Sequence, residues 1–289
     1  MKICLSCSKR FKSCEWVCPI CGFVPKKIDG LLAFAPELDG MCEAFPVESF
    51  QDLFDAEARN FWFCSRNRLI IWCLKNYFPN VLRFLEIGCG TGFVLTGIEK
   101  MFPNVSLSGS EIHLKGLDYA AKRLKKAFLF QMDARRIPFD EEFDLIGTFD
   151  VLEHVQEDEA VLSQIFQALR SGGGIVLTVP QHRFLWSPSD AYARHVRRYT
   201  APELKAKVER AGFRVKRMTS FVCFLLPFML MSRLWQKLSR ASYNVVDELR
   251  ISGPFNSVLE KVLDVERSLI RRGVNFPVGG SLLLVAEKP

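Results

Sequence analysis

Residues 84–95, Phe-Leu-Glu-Ile-Gly-Cys-Gly-Thr-Gly-Phe-Val-Leu, constrain the fold more than any other stretch of the chain. An apolar run leads into Glu86 and Ile87, three glycines (Gly88, Gly90 and Gly92) fall at alternate positions, and a helical pattern follows. This is the layout of a buried strand that turns sharply into a helix. Glycine serves where the backbone needs unusual dihedrals or where a ligand must come close to the main chain. A helix beginning near Gly92 has N–H groups without partners at its start, free to face a ligand above the strand. A Gly-rich turn alone would be ordinary. The acid before it and a second acid roughly twenty residues on, Glu111, favour a nucleotide-type ligand.

Glu111 closes the strand pattern of residues 105–111, where an acid can accept hydrogen bonds from both hydroxyls of a ribose. A dinucleotide-binding fold would show G-x-G-x-x-G, with the third glycine on the helix. This chain has E-x-G-x-G-x-G over Glu86 to Gly92 instead, which disfavours an NAD-binding oxidoreductase. The stretch resembles the first motif of class I S-adenosylmethionine (SAM) methyltransferases, in their type 11/12, UbiE-like branch. The resemblance implies an α/β fold, a Rossmann-like seven-stranded sheet with helices on both faces, and SAM as methyl donor. It places the cofactor on Glu86, Gly88, Cys89, Gly90, Gly92, Glu111 and Ile112.

Further strands read over 127–134, 143–149 and 175–180, separated by amphipathic helical patterns. This alternation predicts a parallel sheet covered on both faces. In the family the acid ending the third strand receives the adenine amino group and the next peptide N–H binds the ring, a role that would fall to Asp133 and Ala134. Taken alone, Asp133 reads equally as a turn cap. Asp150-Val151-Leu152-Glu153-His154 resembles the family's fourth motif and puts Asp150 at the cofactor, with Glu153 and His154 opening a helix to Ala168. Strands over 213–221 and 281–288 would complete the seven, the last of them antiparallel.

Residues 50–78 carry one long helical pattern. Its segment Phe61-Trp62-Phe63-Cys64-Ser65-Arg66-Asn67 resembles an "FWF-x-x-RN" signature of bacterial SAM methyltransferases, which covers the cofactor. Trp62, Arg66 and Asn67 are expected to face the ligand, since polar groups interrupt the aromatic stripe on that side, and Phe61 and Phe63 to lie in the core. The resemblance spans about residues 50–220 plus 279–289.

Ahead of it, Cys4-x-x-Cys7 and Cys18-x-x-Cys21 form two pairs ten residues apart, able to aim four thiolates at one point. A structural zinc ribbon over residues 1–35 follows, with 36–49 as a linker and 50–289 as the methyltransferase domain. A redox C-x-x-C is the alternative. With all four ligands protein thiolates no position stays open for catalysis. So short a segment buries little apolar surface, and the metal would supply most of its folding energy. Whether the ribbon binds RNA, touches substrate or only braces its neighbour is open from sequence. Ten cysteines in a chain of 289 residues, several within predicted helices and strands, argue against a disulfide framework. The N-terminus lacks a signal-peptide layout, so a cytoplasmic location is expected. The net charge of +7 permits an anionic partner and demands none.

For the acceptor, methyl transfer from a sulfonium is an in-line displacement, and a hydroxyl acceptor gains from a general base. His195, in His-Val-Arg-Arg-Tyr199-Thr, lies in an insertion similar to one carrying "H-x-R-R-Y-T" in related methyltransferases; it is the first candidate base, with Tyr199 beside it. His154 reads as either a helix cap or a functional group. Residues 221–238 begin with eleven apolar residues, too few to span a bilayer, where ~20 are needed. They suit a covering helix, a lid, a dimer contact or a peripheral membrane contact, and with a second helix they make an apolar insertion over 221–278. Such an insertion fits a lipid-linked, glycan or other small-molecule acceptor methylated on oxygen. An rRNA or tRNA methyltransferase is the alternative, set back by the absence of a basic stripe interleaved with aromatics. A SAM-binding scaffold without turnover is the non-enzymatic one.

Overall fold

The computed structural model describes residues 1–40, 45–238, 251 and 253–289. Parts of the expected linker (41–44) and insertion (239–250 and 252) lie outside the described residues.

A central sheet of nine strands, among the described residues, organises the chain. Its strands are β3 (Lys26–Ile28), β4 (Leu31–Ala33), β5 (Arg83–Ile87), β6 (Ser106–Glu111), β7 (Phe128–Gln131), β8 (Phe143–Phe149), β9 (Leu169–Pro180), β10 (Arg214–Phe221) and β11 (Ser281–Glu287). Their spatial order is β10-β11-β9-β8-β5-β6-β7-β4-β3. β5 lies parallel to both β6 and β8, so the strand order reverses on either side of it. That reversal opens a crevice beyond the C-terminal ends of β5 and β8, where open α/β sheets take ligands. β11 runs antiparallel between β9 and β10, as expected of the last strand.

Alternation along the strands explains the layering. On β11, Leu282 and Leu284 join one core with Val161, Leu162 and Ile165 of α5 (Asp158–Ala168) and Leu204 and Val208 of α7 (Ala201–Arg210). Leu283 and Val285 point the other way, into a core with Leu69, Ile70 and Leu74 of α2 (Phe61–Tyr77) and Val94, Leu95 and Ile98 of α3 (Phe93–Met101). Burying both faces of the sheet is why its strands read as nearly unbroken apolar runs.

Three sequence expectations are corrected here. The long helix at 50–78 is two, α1 (Ser49–Ala56) and α2, because Asn60 is an N-cap whose side chain accepts the Trp62 N–H at 2.9 Å. Glu153 and His154 do not open α5. They sit in a single 3-10 turn, Leu152–His154, and the helix starts only at Asp158, where two acids occupy its first turn. The strand expected from 175 begins at Leu169 and includes the glycines.

The N-terminal segment adds more than a separate knob. The first 11 residues form a small hairpin of β1 (Lys2–Ile3) and β2 (Arg10–Phe11). Two tight turns carry the cysteine pairs, closed by Ser8 N–H to Cys4 O (2.8 Å) and Gly22 N–H to Cys18 O (2.9 Å). The chain then enters the main sheet, where β4 pairs in parallel with β7. Trp16 packs edge-on against Phe34 and Phe139, with ring centres 4.5 and 5.4 Å apart. The hairpin β3–β4 thereby covers what would otherwise be an open sheet edge at β7.

Candidate active site

The Gly-rich turn after β5 takes the conformation its residues require: Gly88, Gly90 and Gly92 have φ of +70°, +51° and +74°, a region costly for other residues. Space matters as well. A Cβ on Gly88 would fall 2.4 Å from Cγ2 of Val151, whereas one on Gly90 would meet only Phe50 at 3.9 Å. The loop is thus packed from behind at Gly88 and open above Gly90. Gly92 faces away, against Ala120 of α4 (Leu114–Arg123) and Leu124 just past its end, and does not line the cavity.

That open space belongs to a cavity of about 1410 Å³. Single-ligand pockets run to roughly 300–1,000 Å³, so there is room for two molecules side by side. Glu86, Gly88, Cys89, Gly90, Glu111, Ile112, Asp133, Ala134 and Asp150 all line it, as do Trp62 and Arg66 of α2. The Arg66 guanidinium stacks 4.4 Å from the Trp62 ring and pairs with Asp150. Burial lowers the pKa of Arg66 to about 10, with Glu57, Glu86 and Glu153 pulling the other way.

Glu86 is 2% exposed, and one of its carboxylate oxygens has no hydrogen-bond partner. Burial pushes its pKa well above the ordinary carboxylate range, Glu57 and Glu111 add to the rise, and Arg66 opposes it. Glu111 accepts from the peptide N–H groups of Gly90 (3.0 Å), Ile112 (2.8 Å) and His113 (3.4 Å), which locks β6 to the Gly-rich turn. Asp133 caps its own turn at the Arg135 N–H (2.9 Å) and pairs with the Arg135 guanidinium (3.0 Å). The residues present fit SAM. An unmatched buried carboxylate, a loop whose open face would be filled by a side chain, and an acid at each neighbouring strand end suit a cationic nucleoside.

A brace beneath the loop was not foreseen. Glu57, buried at the end of α1, accepts from the Thr91 hydroxyl and from Arg123 of α4 (2.6 Å); Arg123 also reaches the Phe54 carbonyl (2.6 Å). These partners lie 34 and 66 residues apart in sequence, and neither Glu57 nor Arg123 falls in a recognisable pattern. The signal for Thr91 was its place inside the glycine motif.

At the other end of the cavity stand Glu153, His154, Asp190, His195 and Arg198. Asp190, 1% exposed, sits in α6 (Pro188–Tyr192) and accepts from His195 Nδ1 (2.9 Å), Arg198 Nε (2.7 Å) and the Ser187 N–H (2.8 Å). Burial would raise its pKa, but the hydrogen bonds from His195 and Arg198 outweigh this and hold it below the usual range. An ionised Asp190 can only accept, so His195 carries a proton on Nδ1 and turns Nε2 toward Glu153, 4.0 Å away. The rings of His154 and His195 meet edge to face, 4.7 Å apart. Glu153 is fully buried, neither carboxylate oxygen takes a hydrogen bond, and burial pushes its pKa up to about 8.

Tyr199 is not brought to the cleft. It is wholly buried, donates to Asp158 (2.7 Å) and the Leu152 carbonyl (3.2 Å), and burial raises its pKa further above the ordinary phenol value. Arg197 and Lys207 converge on the same Asp158 oxygen (2.7 and 2.5 Å). Tyr199 therefore fastens the His195 segment to α5 and α7.

The third wall is apolar. Val222, Leu225, Phe228 and Met229, around and within α8 (Leu226–Leu238), and Phe255, Val258, Leu259 and Val262 of α9 (Gly253–Arg271) all line the cavity.

The four N-terminal thiols, Cys4, Cys7, Cys18 and Cys21, lie within 4.8 Å of one another and none is in a disulfide. Cys4 and Cys21 sulfurs are 3.5 Å apart and Cys7 and Cys18 3.7 Å. Four sulfurs at Zn–S of ~2.3 Å would be about 3.8 Å apart in a tetrahedron. Peptide N–H groups of Cys21 and Ile20 favour the Cys18 thiolate and lower its pKa to about 6, while that of Lys9 favours the Cys7 thiolate against burial and the neighbouring thiols, which raise its pKa.

A sheet with this strand order, carrying an acidic Gly-rich turn at its reversal point, defines the class I methyltransferase fold. A methyltransferase-domain family matches residues 53–217. The chain belongs to that family, among the class I SAM-dependent methyltransferases. A probable SAM-dependent methyltransferase of Mycolicibacterium smegmatis is 25% identical over 177 residues, 60% of this chain and 67% of that protein. Norajmaline N-methyltransferase of Rauvolfia serpentina is 32% identical over 111 residues, 36% of this chain and 38% of the plant enzyme. The chain spans about two fifths of the length of several curated relatives. A Thermotoga maritima SAM-dependent methyltransferase, described as a possible histamine N-methyltransferase, superposes with a TM-score of 0.54 at 16% identity, covering 84% of this chain and 96% of that one. At that identity the likeness shows the fold alone.

Proposed function

We propose that this chain transfers the methyl group of SAM to an oxygen of a small acceptor with an apolar part, of the lipid-linked or glycan-bearing kind. One observation carries the reading: a single cavity joins the Gly-rich turn, the Asp190–His195 pair and the apolar wall of α8 and α9. Gly88, Cys89 and Gly90 with Glu86 would take the amino-acid end of SAM, Glu111 and Ile112 the ribose, and Asp133 and Ala134 the base. Trp62, Arg66 and Asp150 would close over it. When bound, SAM supplies an electrophilic methyl on a positive sulfur. The chain's own residues exclude water, orient the acceptor and, through His195 Nε2, meet the hydroxyl that loses its proton. His154 supports His195 from the side.

Residues 1–35 would hold structural zinc on Cys4, Cys7, Cys18 and Cys21 and act as a brace, in line with their strand pairing to the main sheet. Phe228, Met231, Leu234 and Trp235 on α8 are each 60% or more exposed, which fits docking on a membrane that delivers the acceptor. Among the described residues no helix is long and apolar enough to cross a membrane.

The test is methyl-labelled SAM with polyprenyl-phosphate-linked sugars, water-soluble sugars and total RNA offered in parallel. Label entering the lipid-linked fraction, stable as an ether, supports the proposal. Label entering RNA alone would replace it.

A further inference from the structure

We propose that Glu153, His154 and His195 form a site for one divalent first-row transition ion at the acceptor end of the cavity. Their ligand atoms all lie within 4.8 Å of one another, and Glu153 Oε1 is 4.0 Å from His195 Nε2. Ligands sharing an ion at about 2.1 Å sit roughly 3–3.5 Å apart, so the three need close by no more than about 1–2 Å. The local fold fixes them: the 3-10 turn at Leu152–His154 places Glu153 and His154 side by side, and the Val196 N–H bonds the Glu153 carbonyl at 2.8 Å, tying His195's neighbour to that turn.

Two independent observations point to a cation. Glu153 is 0% exposed with both carboxylate oxygens unpartnered, an arrangement that burial penalises unless something positive completes it. His195, moreover, is oriented from behind by a carboxylate. A carboxylate holding the far nitrogen of an imidazole is the usual support for a metal-binding histidine, fixing its tautomer and raising its basicity. The cations nearest Glu153 are engaged elsewhere: Arg66 pairs with Asp150 and Arg198 with Asp190, and neither hydrogen-bonds the Glu153 carboxyl group.

Two imidazoles and one carboxylate suit manganese, iron(II) or zinc, with positions left open to the cavity. The chemical role rests on the acceptor lying at this end of the cleft; the binding of the ion does not. An acceptor hydroxyl at an open position would be more acidic than in water. On transfer its oxygen lone pair forms the O–CH₃ bond, the S–CH₃ bond breaks with its electrons returning to sulfur, and the hydroxyl proton leaves to solvent. His195 then acts as a ligand in place of a base.

The experiment is a titration of Mn²⁺ into the chain loaded with one equivalent of zinc, enough for the four cysteines alone, with S-adenosylhomocysteine (SAH) present, followed by electron paramagnetic resonance, with no acceptor and no turnover required. One Mn²⁺ per chain is expected, with ¹⁴N couplings from two imidazoles in the spin-echo spectrum; the ribbon has no histidine to produce them. Glu153→Gln and His195→Gln should each weaken Mn²⁺ at least about tenfold while SAH affinity stays within about twofold. No bound Mn²⁺ in the native chain, Mn²⁺ without imidazole couplings, or equal binding in both variants would overturn the site. Mn²⁺ binding without methyl transfer to lipid-linked acceptors would uphold the site and count against the acceptor proposed above.

Discussion

Asp190 accepts a 2.9 Å hydrogen bond from His195 across five residues, and the same carboxylate holds Arg198. Asp190→Asn keeps the shape but can turn His195 to the other tautomer. Methyl transfer is expected to fall at least about tenfold with SAH binding unchanged. The group's depressed pKa also fixes a sign. A carboxylate held low contributes stability that is present above its unfolded value of 3.8 and lost as pH falls below it. The melting temperature gap between the native chain and Asp190→Asn should be widest near neutrality and shrink below about pH 4.

Gly88→Ala tests the turn. Its φ of +70° and the 2.4 Å approach to Val151 leave no place for a methyl group, and strain of about 1–3 kcal/mol is expected. A drop in melting temperature together with at least tenfold weaker SAH binding is the predicted result. Val151→Ala in the same background should recover part of the stability, because it removes the atom in the way. Gly90→Ala should leave the melting temperature nearer the native value and block the ligand.

Glu86 gives a pH-linked prediction. Burial raises its pKa in the free protein, and a cationic ligand beside it would lower it again, so ligand binding is linked to proton release wherever the free carboxyl is still protonated. Calorimetry of SAM binding in buffers of different ionisation enthalpy should show proton release, and Glu86→Gln should abolish it. In the ligand-free chain the sign runs the other way for stability. A carboxylate with a raised folded pKa loses stability as pH climbs above the unfolded value of 4.5, so Glu86→Gln should gain in melting temperature relative to the native chain as pH rises above that value.

The ribbon is predicted to brace the sheet. Stripping metal with a strong chelator, or Cys4→Ser with Cys21→Ser, should loosen Trp16 from Phe34 and Phe139 and free β4 from β7. Loss of about 2 kcal/mol would lower the melting temperature of the main domain by roughly 5 °C. An unchanged melting temperature would mean the ribbon folds apart from the sheet.

The parts of this account legible in the sequence are local ones. The turn at Gly88–Gly92, the acids Glu86 and Glu111, and the paired cysteines announce themselves within a few residues, because dihedral demands and thiolate turns are short-range. What stayed hidden depends on contacts across long separations. The Glu57–Thr91–Arg123 brace joins three elements, and Asp158 gathers Tyr199, Arg197 and Lys207 from 39 or more residues away. Tyr199 looked like an active-site group from its neighbours, and only packing shows it turned inward. The split at Asn60 was readable as a helix cap, yet the hydrophobic spacing on either side ran through it unbroken. Gly92 belongs to the motif by spacing, although its own contacts are with α4 rather than the cavity.

The most direct measurement of the central claim is calorimetric titration of SAM, SAH and NAD into the purified chain and into Glu111→Ala. Glu111 ties β6 to the Gly-rich turn and would hold the ribose hydroxyls. The account predicts that SAM and SAH bind one per chain, that NAD does not, and that Glu111→Ala weakens both sulfur nucleotides at least about tenfold, the loss of a charged hydrogen bond of ~1.5–3 kcal/mol. Binding of NAD alone, or sulfur-nucleotide binding indifferent to Glu111, would contradict it.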